Sequence, residues 1–444
     1  MVRPATARRL SAGETFYWLV DRVCSTNFTV AARLSGPLEP DVLRAALAAV
    51  GNRHPLLGVR IARKGGWPVF RTDGVGPIPL FVADTPEDEW IARAADEINR
   101  NLDWRAGPLA RCVWLRHSGG QSTLMITFHH AVGDGISGGY LIRDLLRAIA
   151  APGKNLLSPR TSNLPEALDR LHPPEVQGVR GLFRYAVEMA RAGAAVVRYG
   201  RLRAVSADGR APYRDRRARV IARVFDPSFT ADLVARARVE GTTVHGALAA
   251  AVLLGGRGEI SAHGHLLMAL GSPVNMRGRV TPPVGDVVGM YASVMGTMHR
   301  VGKDTAFWEL AREVTGGIEA GFARNMHFTF EPMTFRILSP FSRLAVGSQA
   351  GAMGFTRLAA ASFPSTGFGL TNIGRLDMRR RYGAVSVSWA ALLPSWSVFA
   401  HSGWSACTAA GSLSLNLVYM EPLLARAHAE ALAGRTVELL RAAV

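Results

Sequence analysis

Phe28, Thr29 and Val30 open an apolar stretch that predicts a strand over 28–34. Apolar residues at helical spacing follow over 39–50, with Pro40 tolerated in the first turn. Short strands are predicted over 56–61 and 68–71, an amphipathic helix over 86–102, strands over 109–115 and 122–129, and a helix over 138–149. The strand over 122–129 is strongly apolar, which places it centrally in a sheet. Between 152 and 218 Pro, Ser, Arg and Gly become frequent, the mark of a connection, and a basic helix over 181–197 interrupts it.

The mixture resumes at Val220. A strand is predicted over 220–225, helices over 227–239 and 244–254, and strands over 266–274, 288–298, 367–376, 384–391, 397–401 and 412–419. A helix over 422–443 closes the chain. A chain of 444 residues exceeds one ordinary core. The expectation is an α/β (α+β) protein of two halves, 1–160 and 219–444, joined by a crossover linker over 161–218.

Composition narrows the class. With 48% hydrophobic and 19% charged residues the chain is globular, not disordered. Cys24, Cys112 and Cys407 lie too far apart for a zinc knuckle, and buried free thiols are expected rather than a disulfide framework. Polar residues follow Met1-Val2-Arg3, and the apolar run over 244–255 falls short of the roughly 20 residues that span a bilayer. A soluble, cytoplasmic monomer is therefore expected.

The net charge of +18 attracts polyanions: nucleic acid, anionic lipid, coenzyme A or an acidic carrier protein. No nucleic-acid-binding motif accompanies it, so no nucleic-acid partner is expected. The 181–197 helix, with Phe183, Tyr185, Ala186, Met189 and Val196, could make peripheral contact with a membrane. Its composition favours packing on its own protein.

Chemistry concentrates at the end of the 122–129 strand, in His129-His130-Ala131-Val132-Gly133-Asp134-Gly135. Side chains alternate along a strand, so two adjacent imidazoles point to opposite faces, one toward a channel and one inward. Gly133 and Gly135 then allow a sharp turn into a helix, and an ionised Asp134 can hold that loop by charge-assisted hydrogen bonds. A neutral imidazole suits removal of a proton from an attacking hydroxyl, amine or thiol. Metal ligation is the weaker alternative, because neighbouring strand residues diverge and chelate poorly. A pair of structural histidines is the plain reading of His-His alone.

The whole motif resembles His-His-x-x-x-Asp-Gly, the signature of the superfamily that includes chloramphenicol acetyltransferase, alcohol acyltransferases, polyketide-associated acyltransferases and nonribosomal peptide condensation domains. The resemblance implies two chloramphenicol-acetyltransferase-like halves forming a pseudo-dimer, with an active-site tunnel at their interface. It implies His130 as general base, Asp134 as a structural residue that orients the loop, His129 in support and Gly135 at the turn. Gly271-Ser272-Pro273-Val274-Asn275-Met276-Arg277 is similar to the condensation-domain Gly-Thr-Pro-Val-x-x-Arg, which implies an ion pair of Arg277 with Asp134. Arg53-His54-Pro55-Leu56-Leu57, the segment Val288-Gly289-Met290-Tyr291-Ala292-Ser293, and Leu370-Thr371-Asn372-Ile373-Gly374-Arg375-Leu376 match further segments in the right order. The Asp-Phe-Gly-Trp-Gly motif of the plant enzymes is absent.

The activity implied is that of an acyltransferase moving groups other than aminoacyl, in secondary-metabolite or lipid biosynthesis. Its acyl donor would be carried on coenzyme A or on the phosphopantetheine of an acidic acyl carrier protein, and no cofactor or metal would be held permanently. The acceptor would be a small-molecule alcohol, giving an ester. Amide formation on an amine by a freestanding condensation enzyme is the alternative, and a non-catalytic carrier-protein or lipid-binding relative a second. Ser365, Thr366 and Asn372 are candidate substrate-binding donors for an oxyanion.

Overall fold

The computed structural model describes residues 6–151, 163–362 and 367–444. Two six-stranded sheets dominate it. In the first, the antiparallel pairs of Phe28–Ser35 with Gln121–Phe128 and of Gln121–Phe128 with Ala110–Arg116 form the centre. Gln121–Phe128 is buried along almost its whole length, as its unbroken apolar run requires. In the second sheet, Leu266–Asn275 lies between Ala292–Val301 and Gly367–Arg375, followed by Ser402–Ala409, Ser412–Glu421 and Arg217–Val224.

The sheets do not divide where the linker does. Val385–Pro394, from the C-terminal half, pairs with Phe28–Ser35 and completes the N-terminal sheet. One hydrophobic core accordingly joins Trp18, Leu124 and Phe128 to Leu338, Phe355 and Leu392. A cut at 160 or 219 would leave the edge of Phe28–Ser35 unpaired.

Several local predictions change. The 56–61 segment begins as a 3-10 turn, Pro55–Gly58, and only then becomes the strand Arg60–Lys64, because Pro55 suits the first position of a turn. The expected strand over 288–298 starts later, as Ala292–Val301. Residues 397–401 form a turn, and the strand is Ser402–Ala409. The 86–102 helix is shorter, Trp90–Asn99 after a 3-10 turn. Helices Ala12–Asp21, Phe307–Ala323, Phe330–Ala345 and Gln349–Ser362 lie where the sequence reading assigns none. Ala12–Asp21 is buried on nearly every side, so it has no polar face to betray its period.

Candidate active site

The strand Gln121–Phe128 stops one residue before the motif. His129 caps a 3-10 turn, His130–Val132, with Nδ1 accepting the Ala131 N–H at 3.0 Å. The two imidazoles therefore separate at a turn and not by strand alternation. His129 is fully buried, and its remaining nitrogen, Nε2, lies 3.4 Å from Asp21 Oδ2. Asp21 itself accepts from the Thr26 backbone and from Asn101, which fixes it in place.

His130 turns the other way, into a cavity of about 290 Å³ between the sheets. Its Nδ1 lies 3.0 Å from the Gly133 carbonyl. A carbonyl only accepts, so Nδ1 carries the proton and the neutral ring keeps its lone pair on Nε2. Tyr17 stacks on the ring at 3.7 Å between centroids, and Phe28 meets it edge-on at 4.5 Å. Burial pushes the imidazole pKa down to about 4, against the upward pull of its backbone hydrogen bonds and of the Asp134 charge. The group is thus a neutral acceptor across the ordinary pH range.

Asp134 caps the helix Gly135–Ala150 and receives bonds from five donors. Oδ1 accepts Ser137 N at 2.8 Å, Ser137 Oγ at 3.0 Å and Arg277 Nη2 at 3.1 Å. Oδ2 accepts Arg277 Nη1 and Tyr291 N, each at 2.9 Å. Burial alone would raise this carboxyl, but the Arg277 charge and these hydrogen bonds hold it below its usual range. Arg277 also donates to the carbonyls of Val287 and Gly289, so no buried N–H of its fork faces apolar surroundings alone.

The motif glycines serve packing, not dihedral freedom. Gly133 has an extended φ of −168°, and Gly135 is absent from the positive-φ residues. A Cβ on Gly135 would sit 2.9 Å from Ile373 Cγ2 and 3.1 Å from Leu392 Cδ2. Those contacts close the helix onto the strands Gly367–Arg375 and Val385–Pro394.

Other sequence candidates fall elsewhere. Ser365 and Thr366 lie outside the described residues. Asn372 does not line the cavity; its Oδ1 accepts Gly374 N at 2.9 Å and holds a bulge, while Thr371, pointing to the other face, reaches the cavity. His54 is structural: with Arg53 and Arg143 it binds the buried Asp144.

Tyr17, Met290 and Trp396 line the cavity without having been singled out for it. The Ser11-x-x-Glu14 capping box ahead of the Phe16–Val20 run was the available signal for Tyr17. Trp396 lies against Gly369, where a Cβ would come within 2.5 Å of the indole. Gly369 neighbours Gly271, which neighbours Gly296, so a row of glycines crosses three adjacent strands on the cavity wall. No heavy atom lies within 4 Å of a Cβ built on Gly296.

Two arginine-lined depressions flank this cavity. One, of about 340 Å³, carries Arg9, Arg170, Arg336 and Arg343. A narrow space of about 20 Å³ shares Ser11, Asp169 and Arg336 with it, and Met290 and Ala292 with the inner cavity. Burial, and then the nearby Arg343 and Arg170 charges, push the Arg9 guanidinium below its usual value. The other depression, of about 600 Å³, includes Arg214, Arg216, Arg217 and Arg219 and shares Ser395 with the cavity.

In fold the chain is similar to condensation domains and related acyltransferases, and two family profiles each match part of it. Residues 19–163 match the condensation-domain profile, and residues 214–333 match that of the phthiocerol/phthiodiolone dimycocerosyl transferase C-terminus. Phosphinothricin tripeptide synthetase PhsC of Streptomyces viridochromogenes is 35% identical over 133 residues, 28% of this chain but only 12% of that much longer protein. Polyketide synthase associated protein 5 of Mycobacterium tuberculosis superposes with a TM-score of 0.69 at 17% identity, covering 99% of both chains. Trichothecene 15-O-acetyltransferase of Fusarium sporotrichioides gives 0.71 at 11% identity over 99% of this chain and 96% of that one. The first condensation domain of the calcium-dependent antibiotic synthetase gives 0.70 at 17%, over 98% and 95%. At such identities the likeness is one of fold.

Proposed function

We propose that the protein transfers an acyl group from a coenzyme A or acyl-carrier-protein thioester to a hydroxyl acceptor, with His130 as general base. The observation that carries this reading is the 3.0 Å bond from His130 Nδ1 to the Gly133 carbonyl, which leaves Nε2 unprotonated beside the cavity. Nε2 takes the acceptor's O–H proton as that oxygen bonds to the thioester carbonyl carbon. The C–S bond then breaks and the imidazolium returns its proton to the departing thiolate. Asp134 and Arg277 act on the loop that carries His130, without touching the reacting atoms.

The wall chemistry supports an apolar acyl chain. Phe28, Leu270, Met290, Val294 and Phe368 line the cavity, and the glycine row gives it a flat floor. The depression that carries Arg9 and Arg343 suits the phosphate groups of a coenzyme A or phosphopantetheine donor. Amide formation on an amine is the second reading, favoured by the condensation-domain match over 19–163.

Mass spectrometry of products from a panel of acyl thioesters, with alcohol and amine acceptors, tests both. An ester product is expected, with a loss of roughly 10²–10⁴-fold in His130→Ala at unchanged thermal stability. Undiminished turnover in that variant would overturn the assignment of the base.

A further inference from the structure

The basic helix of the crossover, Gly178–Tyr199, leaves its apolar side in the open: of its 22 residues only Gly181 is buried. Val179 is 84% exposed, Leu182 51%, Phe183 69% and Val197 89%. Ala186, Ala190 and Ala194 are exposed between them. These positions recur every three or four residues, so they form one stripe along about 33 Å of helix. The helix carries Arg180, Arg184, Arg191 and Arg198 against a single acid, Glu188, which is already paired with Arg191 and Arg324. A second exposed stripe, Ile337, Phe341 and Leu344, belongs to the helix Phe330–Ala345, against which Gly181 packs at Met333.

We infer that Gly178–Tyr199 docks the protein on an anionic lipid surface. An exposed apolar stripe on an arginine-rich helix is the pattern of a helix lying in a membrane interface, where the stripe enters the acyl boundary and guanidinium groups meet lipid phosphates. The mode is interfacial, since no described helix is long and apolar enough to cross a membrane. Self-packing, which the composition favours, is not what the exposed residues do. The docked helix also lies beside the cavity: Tyr185 stacks on Phe330 at 6.5 Å, and Phe330 lines the cavity wall. A lipophilic substrate would thus have a short way from bilayer to site.

Cosedimentation of the full chain with two vesicle types tests this, one of equal phosphatidylglycerol and phosphatidylcholine and one of phosphatidylcholine alone. The protein is expected to pellet with the first and to bind the second roughly tenfold less. Replacing Leu182→Glu and Phe183→Glu together should cost roughly tenfold in partitioning to the anionic vesicles. Circular dichroism melting checks that the double variant folds, and Val197→Glu, at the most exposed position, offers an independent second variant. Wild-type protein left in the supernatant with both vesicles would overturn the inference, as would variants that pellet like wild type. So would light scattering that shows a wild-type dimer which the double variant dissolves, because a second copy would then cover the stripe.

Discussion

Arg277 grips Asp134 with two parallel N–H to oxygen bonds, of 2.9 and 3.1 Å, across 143 residues of sequence. The pair is buried and ties the loop after a strand of the first sheet to the loop after a strand of the second. Fork-to-fork geometry fixes orientation as well as distance, so the pair sets where the turn bearing His130 sits.

Removing one partner leaves a buried charge unmatched. Arg277→Ala should destabilise the fold by about 3–5 kcal/mol, read from urea denaturation midpoints. Asp134→Ala in the same background should cost much less than it does alone, since the two share one network. Additive losses would show that the pair is not coupled.

The pH dependence follows from histidines that are buried or half-buried. His130, His172, His245 and His327 are each pushed down to about 4, mainly by burial, from the usual value near 6.5. Between those values the unfolded chain binds more protons than the folded one, so stability rises with pH through that window. The melting temperature should therefore fall as pH drops from 6.5 toward 4. Over the same range kcat/KM should show no acid limb near 6.5, because the base stays neutral. A limb at 6.5 would mean that His130 titrates as an exposed imidazole.

The glycine row should select the acyl chain. Gly296→Val places its side chain in open cavity, where no heavy atom lies within 4 Å of the new Cβ. Long-chain thioesters should lose roughly tenfold in kcat/KM relative to acetyl donors. An unchanged ratio would place the chain elsewhere.

The arginine depressions can be told apart by donor affinity. Arg9→Ala with Arg343→Ala should raise KM for a coenzyme A donor roughly tenfold and flatten its salt dependence. Arg214→Ala, in the other depression, should leave that KM unchanged. The reverse pattern would exchange the two entrances.

Local chemistry was legible in the sequence wherever it depends on neighbours along the chain. The apolar strand before His129, the connection after 151, the helices over 227–239 and 244–254 and the identity of the motif residues all follow from short-range pattern. The sequence also named Arg277 as a partner for Asp134, through resemblance of a second segment. Short-range pattern does not show which side of a residue will be covered. Gly135 reads as a flexible turn until Ile373 and Leu392 are seen to leave no room for a Cβ. Ala12–Asp21 hides its period because it is buried nearly all round, and with it went Tyr17, the ring that stacks on His130.

Tertiary structure alone decided the rest. An imidazole can accept a proton by its residue type, but the tautomer of His130 comes from the Gly133 carbonyl and its low pKa from desolvation among apolar walls. The cavity floor needs three glycines 98 residues apart at their extremes to fall in register, and strand register is set by long-range pairing. The strand Val385–Pro394 crosses to complete the other half's sheet for the same reason: an edge finds its partner in space, whatever the distance along the chain.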